Sequence, residues 1–164
     1  SPDWRADLRH VAAAYRDHAV RVWDLGSKKM TTLKGPAKDA KGLADYRSVL
    51  FVGNQVFVGT GKWNTEKKVR EGEIRVWDAK SGKAGKPITG HADEVDSLAL
   101  SKDGKLLATS GYGGNITVWN LAEGKPALSR KLKHFGAYCV AFTPDGKAVV
   151  TGHDNSKCYI TPLP

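Results

Sequence analysis

The chain repeats itself, and repetition constrains a fold strongly, because each unit must bury its apolar face against a neighbour of its own kind. Ser101-Lys102-Asp103-Gly104-Lys105 returns as Thr143-Pro144-Asp145-Gly146-Lys147, an offset of 42 residues. The alternating run at 95–100 returns at 137–142, and Thr109 returns as Thr151. Arg75-Val76-Trp77-Asp78 precedes Thr117-Val118-Trp119-Asn120 by 42 residues, and Arg21-Val22-Trp23-Asp24 lies a further 54 upstream. The unit is about 42 residues long, with an insertion of about 12 in the second copy.

Inside each unit, short β-rich runs of alternating polarity are separated by Asp-Gly, Ser-Gly or Gly-Gly turns, and nothing sustains a helical period. In the third copy the pattern predicts strands near 95–101, 105–110, 115–120 and 127–132. Asp103-Gly104 and Gly113-Gly114 supply the tight turns between them. Four antiparallel strands per unit make one blade of a β-propeller. The expected fold is all-β, with about four blades at roughly 1–34, 47–90, 91–132 and 134–164.

Gly90-His91 opening a unit, Val95, the Ser101–Gly104 turn, Ala108-Thr109-Ser110-Gly111 and Val118-Trp119-Asn120 together resemble the WD40 repeat family. Trp23-Asp24 and Trp77-Asp78 keep the Trp-Asp dipeptide itself. The resemblance implies a network in each blade that joins histidine, a strand Ser or Thr, a turn Asp and tryptophan. Carried onto this chain, copy three offers His91, Ser110 or Thr109, and Trp119, with Gly113 where the Asp would sit. Copy one offers Asp17 and Trp23, copy two Trp77 with Glu71 near the Asp position, and copy four His134 with Thr161 in place of tryptophan. These departures predict blades held mainly by apolar packing.

Copy one begins at Ser1-Pro2-Asp3, which reads as the turn after a first strand, and copy four stops just after a third strand. The first and last blades are therefore expected to be incomplete, and the chain to be half a ring or a segment of a larger one. Ring closure would need self-association or another propeller segment, because open blade faces are apolar and open strand edges invite pairing.

The same reading excludes several functions. No apolar run approaches the roughly 20 residues of a membrane-spanning helix, and the chain contains no secretory signal, so a soluble protein without membrane insertion is expected. Cys139 and Cys158 lack a C-x-x-C partner, so no metal site is expected, and both read as small buried hydrophobes. Gly59-Thr60-Gly61-Lys62 has a superficial likeness to a phosphate loop, but the glycine spacing is wrong and Trp63 follows the lysine. His10, His18 and His153 have no nucleophile or carboxylate at a recurring spacing. No catalytic residue and no cofactor is expected.

What remains is recognition. A net charge of +9 attracts anionic partners, an acidic protein surface among them, but the basic residues are spread along the chain. Residues 61–72 read as a long loop inserted between the second and third strands of copy two, and such insertions commonly lie on the binding face. The family resemblance places Lys62, Trp63 and Arg70 there beside Tyr46 and Arg47, with Tyr112 and Phe135 from neighbouring blades. Aromatic and arginine residues of this kind carry much of the energy of protein interfaces. The expectation is a non-catalytic scaffold for protein–protein interaction and complex assembly. A nucleic-acid module using the same basic and aromatic residues, and an accessory propeller of a larger enzyme, are the alternatives.

Overall fold

A computed structural model of the chain describes residues 2–4, 9–15, 18–35, 45–132 and 136–164. Period-two patterning makes every regular element among them a strand, and the strands fall into four antiparallel sheets. Blade one holds β1 (Pro2–Trp4), β2 (His10–Ala14), β3 (Ala19–Asp24) and β4 (Lys29–Lys34) in that order. The sequence pattern leaves copy one without a first strand; the structure places the three-residue β1 there, paired with β2 from Pro2 opposite Ala13 to Trp4 opposite Val11.

Blade two holds β5 (Asp45–Val52), β6 (Gln55–Asn64), β7 (Val69–Glu71) and β8 (Ile74–Asp78), with β6 paired to each of the others. Its outer edge is reduced to the isolated bridges Ile74–Ile88 and Trp77–Ala84. Gly85 and Pro87 lie in that edge, and proline has no N–H to give a ladder. Blade three is complete: β9 (Ser97–Leu100), β10 (Leu106–Ser110), β11 (Asn115–Asn120) and β12 (Lys125–Lys131). Blade four has β13 (Ala137–Phe142), β14 (Ala148–His153) and β15 (Cys158–Pro162).

Successive blades stack through three apolar layers, because alternate residues of each strand face opposite neighbours. Val20, Val22 and Leu33 of blade one meet Val56, Val58 and Trp77 of blade two. Phe57, Ile74 and Val76 meet Val95, Leu107 and Trp119, and then Ala108, Ile116 and Val118 meet Ala137, Val140 and Val149. The array is open. Its repeated turns are built alike: Asp103 and Asp145 each accept the hydroxyl of the residue two before and the N–H of the lysine two after. Gly104 and Gly146 take φ of 73° and 69° there, which a side chain would strain.

Cys139 and Cys158 correct an expectation, since both thiols are exposed and free. They lie on the far face of blade four, each paired in register with Gly152 from opposite sides. Two strand spacings, about 9–10 Å, separate them, beyond the reach of a disulfide.

Candidate partner-binding end

Residues 91–96 carry the chain from blade two into β9, and glycines let them pass close over both blades. A Cβ on Gly61 would press on the Glu94 side chain and the Arg47 guanidinium, and one on Gly111 would collide with the Glu94 carbonyl. The Gly59-Thr60-Gly61 run serves this crossing: Val95 donates its N–H to the Thr60 carbonyl at 2.9 Å. Asp93 accepts the N–H groups of Glu94 and Gly113, and Asp96 N–H bonds the Ser110 carbonyl at 2.8 Å.

This crossing buries a carboxylate. Glu94 is 1% exposed. Arg47 approaches it at 2.9 Å and Arg70 at 2.8 Å, and Arg47 also reaches Asp96 at 2.9 Å. A carboxylate removed from water is tolerable only when its charge is answered and hydrogen-bonded, and two guanidinium groups do so here. The bond to Glu94 and its charge raise the Arg70 pKa above the ordinary arginine value.

Two β-bulges aim side chains at the same end. The register of β5 on β6 jumps between Tyr46 and Ser48, leaving Arg47 unpaired, and that of β13 on β14 jumps between Ala137 and Cys139, leaving Tyr138 unpaired. Counting by repeat, Arg47, Asp96 and Tyr138 occupy one equivalent position in three consecutive blades. Tyr112, in the turn before β11, lies 6.0 Å from the Tyr138 ring and 5.2 Å below the Arg70 guanidinium.

The inserted segment is a β-hairpin rather than a loop. The end of β6 pairs with β7, placing Trp63 opposite Arg70 and Lys62 opposite Glu71. Directly opposed residues share a face, so the indole of Trp63, 55% exposed, stands beside the arginine that reaches Glu94. Lys62 points to the other face, where it lines a cleft with Thr60, Glu73, Arg75 and His91.

The structure thus brings together Arg47, Trp63, Arg70 and Tyr112 of the expected residues. It does not bring Tyr46, which alternation turns into the core, where its ring meets Trp77 and its hydroxyl accepts from Arg75. Phe135, His134 and Asp17 lie outside the described residues. Sequence reasoning missed Glu94, Asp96 and Tyr138; for Glu94 the glycines flanking the crossing were the available signal. Among the described residues no group of His, Cys, Asp and Glu is arranged to hold a metal ion, and no helix is long and apolar enough to cross a membrane.

The family model for the WD domain, G-beta repeat, matches residues 82–120 and 127–160, which include all of β10, β11, β14 and most of β15. These two stretches match WD40 repeats. It is 25% identical over 158 residues to Protein LST8 homolog of Drosophila melanogaster, covering 90% of this chain and 46% of that protein. It is 27% identical over 159 residues to Pre-mRNA-processing factor 19 homolog 2 of Arabidopsis thaliana, covering 93% and 27%. Against Apoptotic protease-activating factor 1 of Rattus norvegicus the identity is 23%, covering 94% and 11%. The chain spans less than half the length of each of these relatives.

The tryptophans of the repeat differ in what they bond. Trp119 donates its indole N–H to Thr109 at 3.1 Å, and Thr109 donates onward to the Thr117 carbonyl at 3.1 Å, so the hydroxyl of Thr109 rather than Ser110 takes the indole. His91 is buried with Nδ1 2.8 Å from the Asp93 carbonyl. Burial pushes its pKa below the ordinary histidine value. Trp77 instead donates to the Lys34 carbonyl of blade one at 3.2 Å, and Glu71 takes the Lys67 ammonium. In blade four Thr151 bonds His153 at 2.8 Å. Trp23 is half-buried against Tyr15, their ring centroids 6.2 Å apart.

Proposed function

We propose that this chain is a non-catalytic protein-interaction scaffold whose docking surface is the end carrying Trp63, Arg70, Tyr112 and Tyr138. The observation that carries the reading is the buried Glu94, which fixes Arg47 and Arg70 before any partner arrives. Arg70 then holds the exposed Tyr112 from below, and Trp63 extends the patch. Side chains ordered in advance lose little freedom on binding, which is the condition under which aromatic anchors contribute most. The WD-repeat relatives bear names from apoptosis and pre-mRNA processing alike, as suits a repeat that holds partners rather than one that performs a single reaction. Phosphate recognition is disfavoured at this end, because both arginines already face carboxylates.

Captured partners identified by mass spectrometry test the reading. Wild-type chain is expected to retain at least one partner that the Trp63→Ala, Tyr112→Ala double variant loses while its melting temperature is unchanged. Full retention by the folded double variant overturns the assignment.

A second surface supports assembly. By the 42-residue offset, the buried Ala108, Ile116 and Val118 of blade three correspond to Val150, Cys158 and Ile160 of blade four. There Cys158 and Ile160 are exposed, Ile160 to 69%, and Val150 is only half-buried. We infer that this face packs against a further blade of the same kind, from a second copy or another propeller segment. Light scattering at micromolar concentration is expected to show self-association weakened by Ile160→Asp; a monodisperse monomer overturns the second-copy version.

A further inference from the structure

The docking end is not electrostatically uniform, although the chain as a whole is strongly basic. Where blade two meets blade three, the buried Glu94 is answered by two arginines. Where blade three meets blade four, the repeat puts Gly136 in the place of Glu94, Tyr138 in that of Asp96 and Asp154 in that of Tyr112. No arginine follows, because the hairpin that supplies Arg70 belongs to blade two alone among the described residues.

Gly136 shows how closely these groups gather. A Cβ there would have the Tyr112 carbonyl, a carboxylate oxygen of Asp154 and the Tyr138 ring as its three nearest neighbours, and the Gly136 N–H bonds Asp154 at 3.0 Å. Among the described residues no lysine or arginine forms an ion pair with Asp154. Tyr112 and Tyr138 are each about half exposed, with ring planes inclined at 59°.

The chain's other tyrosines show what such a ring takes. Arg21 stands 4.4 Å over Tyr15, Arg75 5.8 Å over Tyr46 and Arg70 5.2 Å over Tyr112. Tyr159 meets His153 edge-on at 4.9 Å. Among the described residues, Tyr138 alone of the five tyrosines has neither arginine nor histidine at its ring; Tyr112 lies beside it and Asp154 close by. A ring face beside uncompensated carboxylate attracts a cation by quadrupole and charge together.

We propose that a protein partner inserts a cationic side chain, lysine or arginine, against the Tyr138 ring with its charge on Asp154. This rests on the docking end being the interaction surface and specifies what it recognises: a basic segment, the reverse of the acidic partner that the net charge suggests. Partial desolvation, with Tyr112 and the negative charges of Asp154 and Asp96, raises the Tyr138 pKa, as expected where an anion is disfavoured and a cation favoured.

The probes are the capped tripeptides acetyl-Gly-Arg-Gly-amide, acetyl-Gly-Lys-Gly-amide, acetyl-Gly-Gln-Gly-amide and acetyl-Gly-Glu-Gly-amide. They are titrated into the 164-residue chain carrying ring-labelled tyrosine. Saturable shifts of the Tyr138 resonance are expected with the two cationic peptides, at a Kd on the order of millimolar. The glutamine peptide is expected to bind roughly five- to tenfold more weakly. Asp154→Asn, which keeps an oxygen for the Gly136 N–H, is expected to weaken the cationic peptides about fivefold and leave the glutamine peptide alone. Tyr138→Leu removes the ring and, read at the resonance of the neighbouring Tyr112, is expected to abolish the preference. Equal shifts from arginine and glutamine peptides, or preference for the glutamate peptide, overturn the proposal. If those shifts fail while the Trp63 and Tyr112 double variant still loses its partner, the docking surface stands and its charge preference falls.

Discussion

Trp77 and Trp119 occupy the same place in two consecutive repeats, are equally buried, and are held by opposite logic. The indole of Trp119 closes a circuit inside its own blade through Thr109. The strand pairing shows why Trp77 cannot do likewise: Leu107 opposes Trp119 and Val56 opposes Trp77, so the position of Thr109 falls on Val58, which has no hydroxyl. Trp77 reaches across to the Lys34 carbonyl instead. One repeat therefore uses its tryptophan to stiffen a blade, and the other to bind two blades together. Conserving the tryptophan in a pattern does not conserve its task; the residue two positions along the facing strand sets that.

The largest effects test this division. Replacing either tryptophan with alanine is expected to cost about 3–5 kcal/mol in urea unfolding, because a large buried side chain leaves a cavity. Limited proteolysis separates them: Trp77→Ala is expected to expose blade one first, and Trp119→Ala to loosen blade three. Identical cleavage patterns would break the comparison. A smaller change removes only the acceptor. Thr109→Val is expected to cost about 1–3 kcal/mol, since the indole N–H is left buried without its partner. The reciprocal Val58→Thr offers Trp77 an acceptor in its own blade and is expected to cost less, a result that urea melts of the two variants would check directly.

A pH series examines His91, buried beneath the crossing at 91–96. His91 has a folded pKa below its unfolded value, so below about pH 6.5 the unfolded chain binds more protons and stability falls, by up to about 1.4 kcal/mol per pH unit. That loss is expected to shrink in His91→Gln; an unchanged pH profile would sever His91 from blade three's stability. The smallest effect belongs to the hairpin that distinguishes blade two. Lys67 and Glu71 are paired at 2.9 Å on its exposed side, and Lys67→Ala is expected to leave the melting temperature unchanged.

The repeat made most of the fold legible, because a 42-residue offset and two-residue alternation together specify strands, turns and buried faces. Blade three follows the expected strands to within two residues at most ends. The hairpin at 62–71 was not legible as one, since Thr65-Glu66-Lys67-Lys68 lacks the Asn-Gly or Gly-Gly dipeptide that announces a tight turn. The exposure of Cys139 and Cys158 could not be read from residue type, because what uncovers them is an open blade face. At the candidate site, Trp63, Arg70 and Tyr112 announced themselves by side-chain chemistry. Glu94 did not, since an acidic residue in a connection reads as solvated until two arginines distant in sequence are seen to converge on it. Tyr138 was hidden for another reason: alternation assigns its direction correctly only if the bulge is known.

The bond from Trp77 to Lys34 also bears on how the array responds to load. A pull applied at the N-terminal strand and resisted at blade three passes through the face between blades one and two, where the indole bond and the apolar layer around Leu33 must give way together. The indole bond of Trp119 lies off that path, closed within a single sheet. Stretched between its N-terminal strand and blade three, the chain is expected to shed blade one as a discrete step while blade three stays intact, so that two tryptophans identical in the repeat become, mechanically, a breakable link and a fixed rivet.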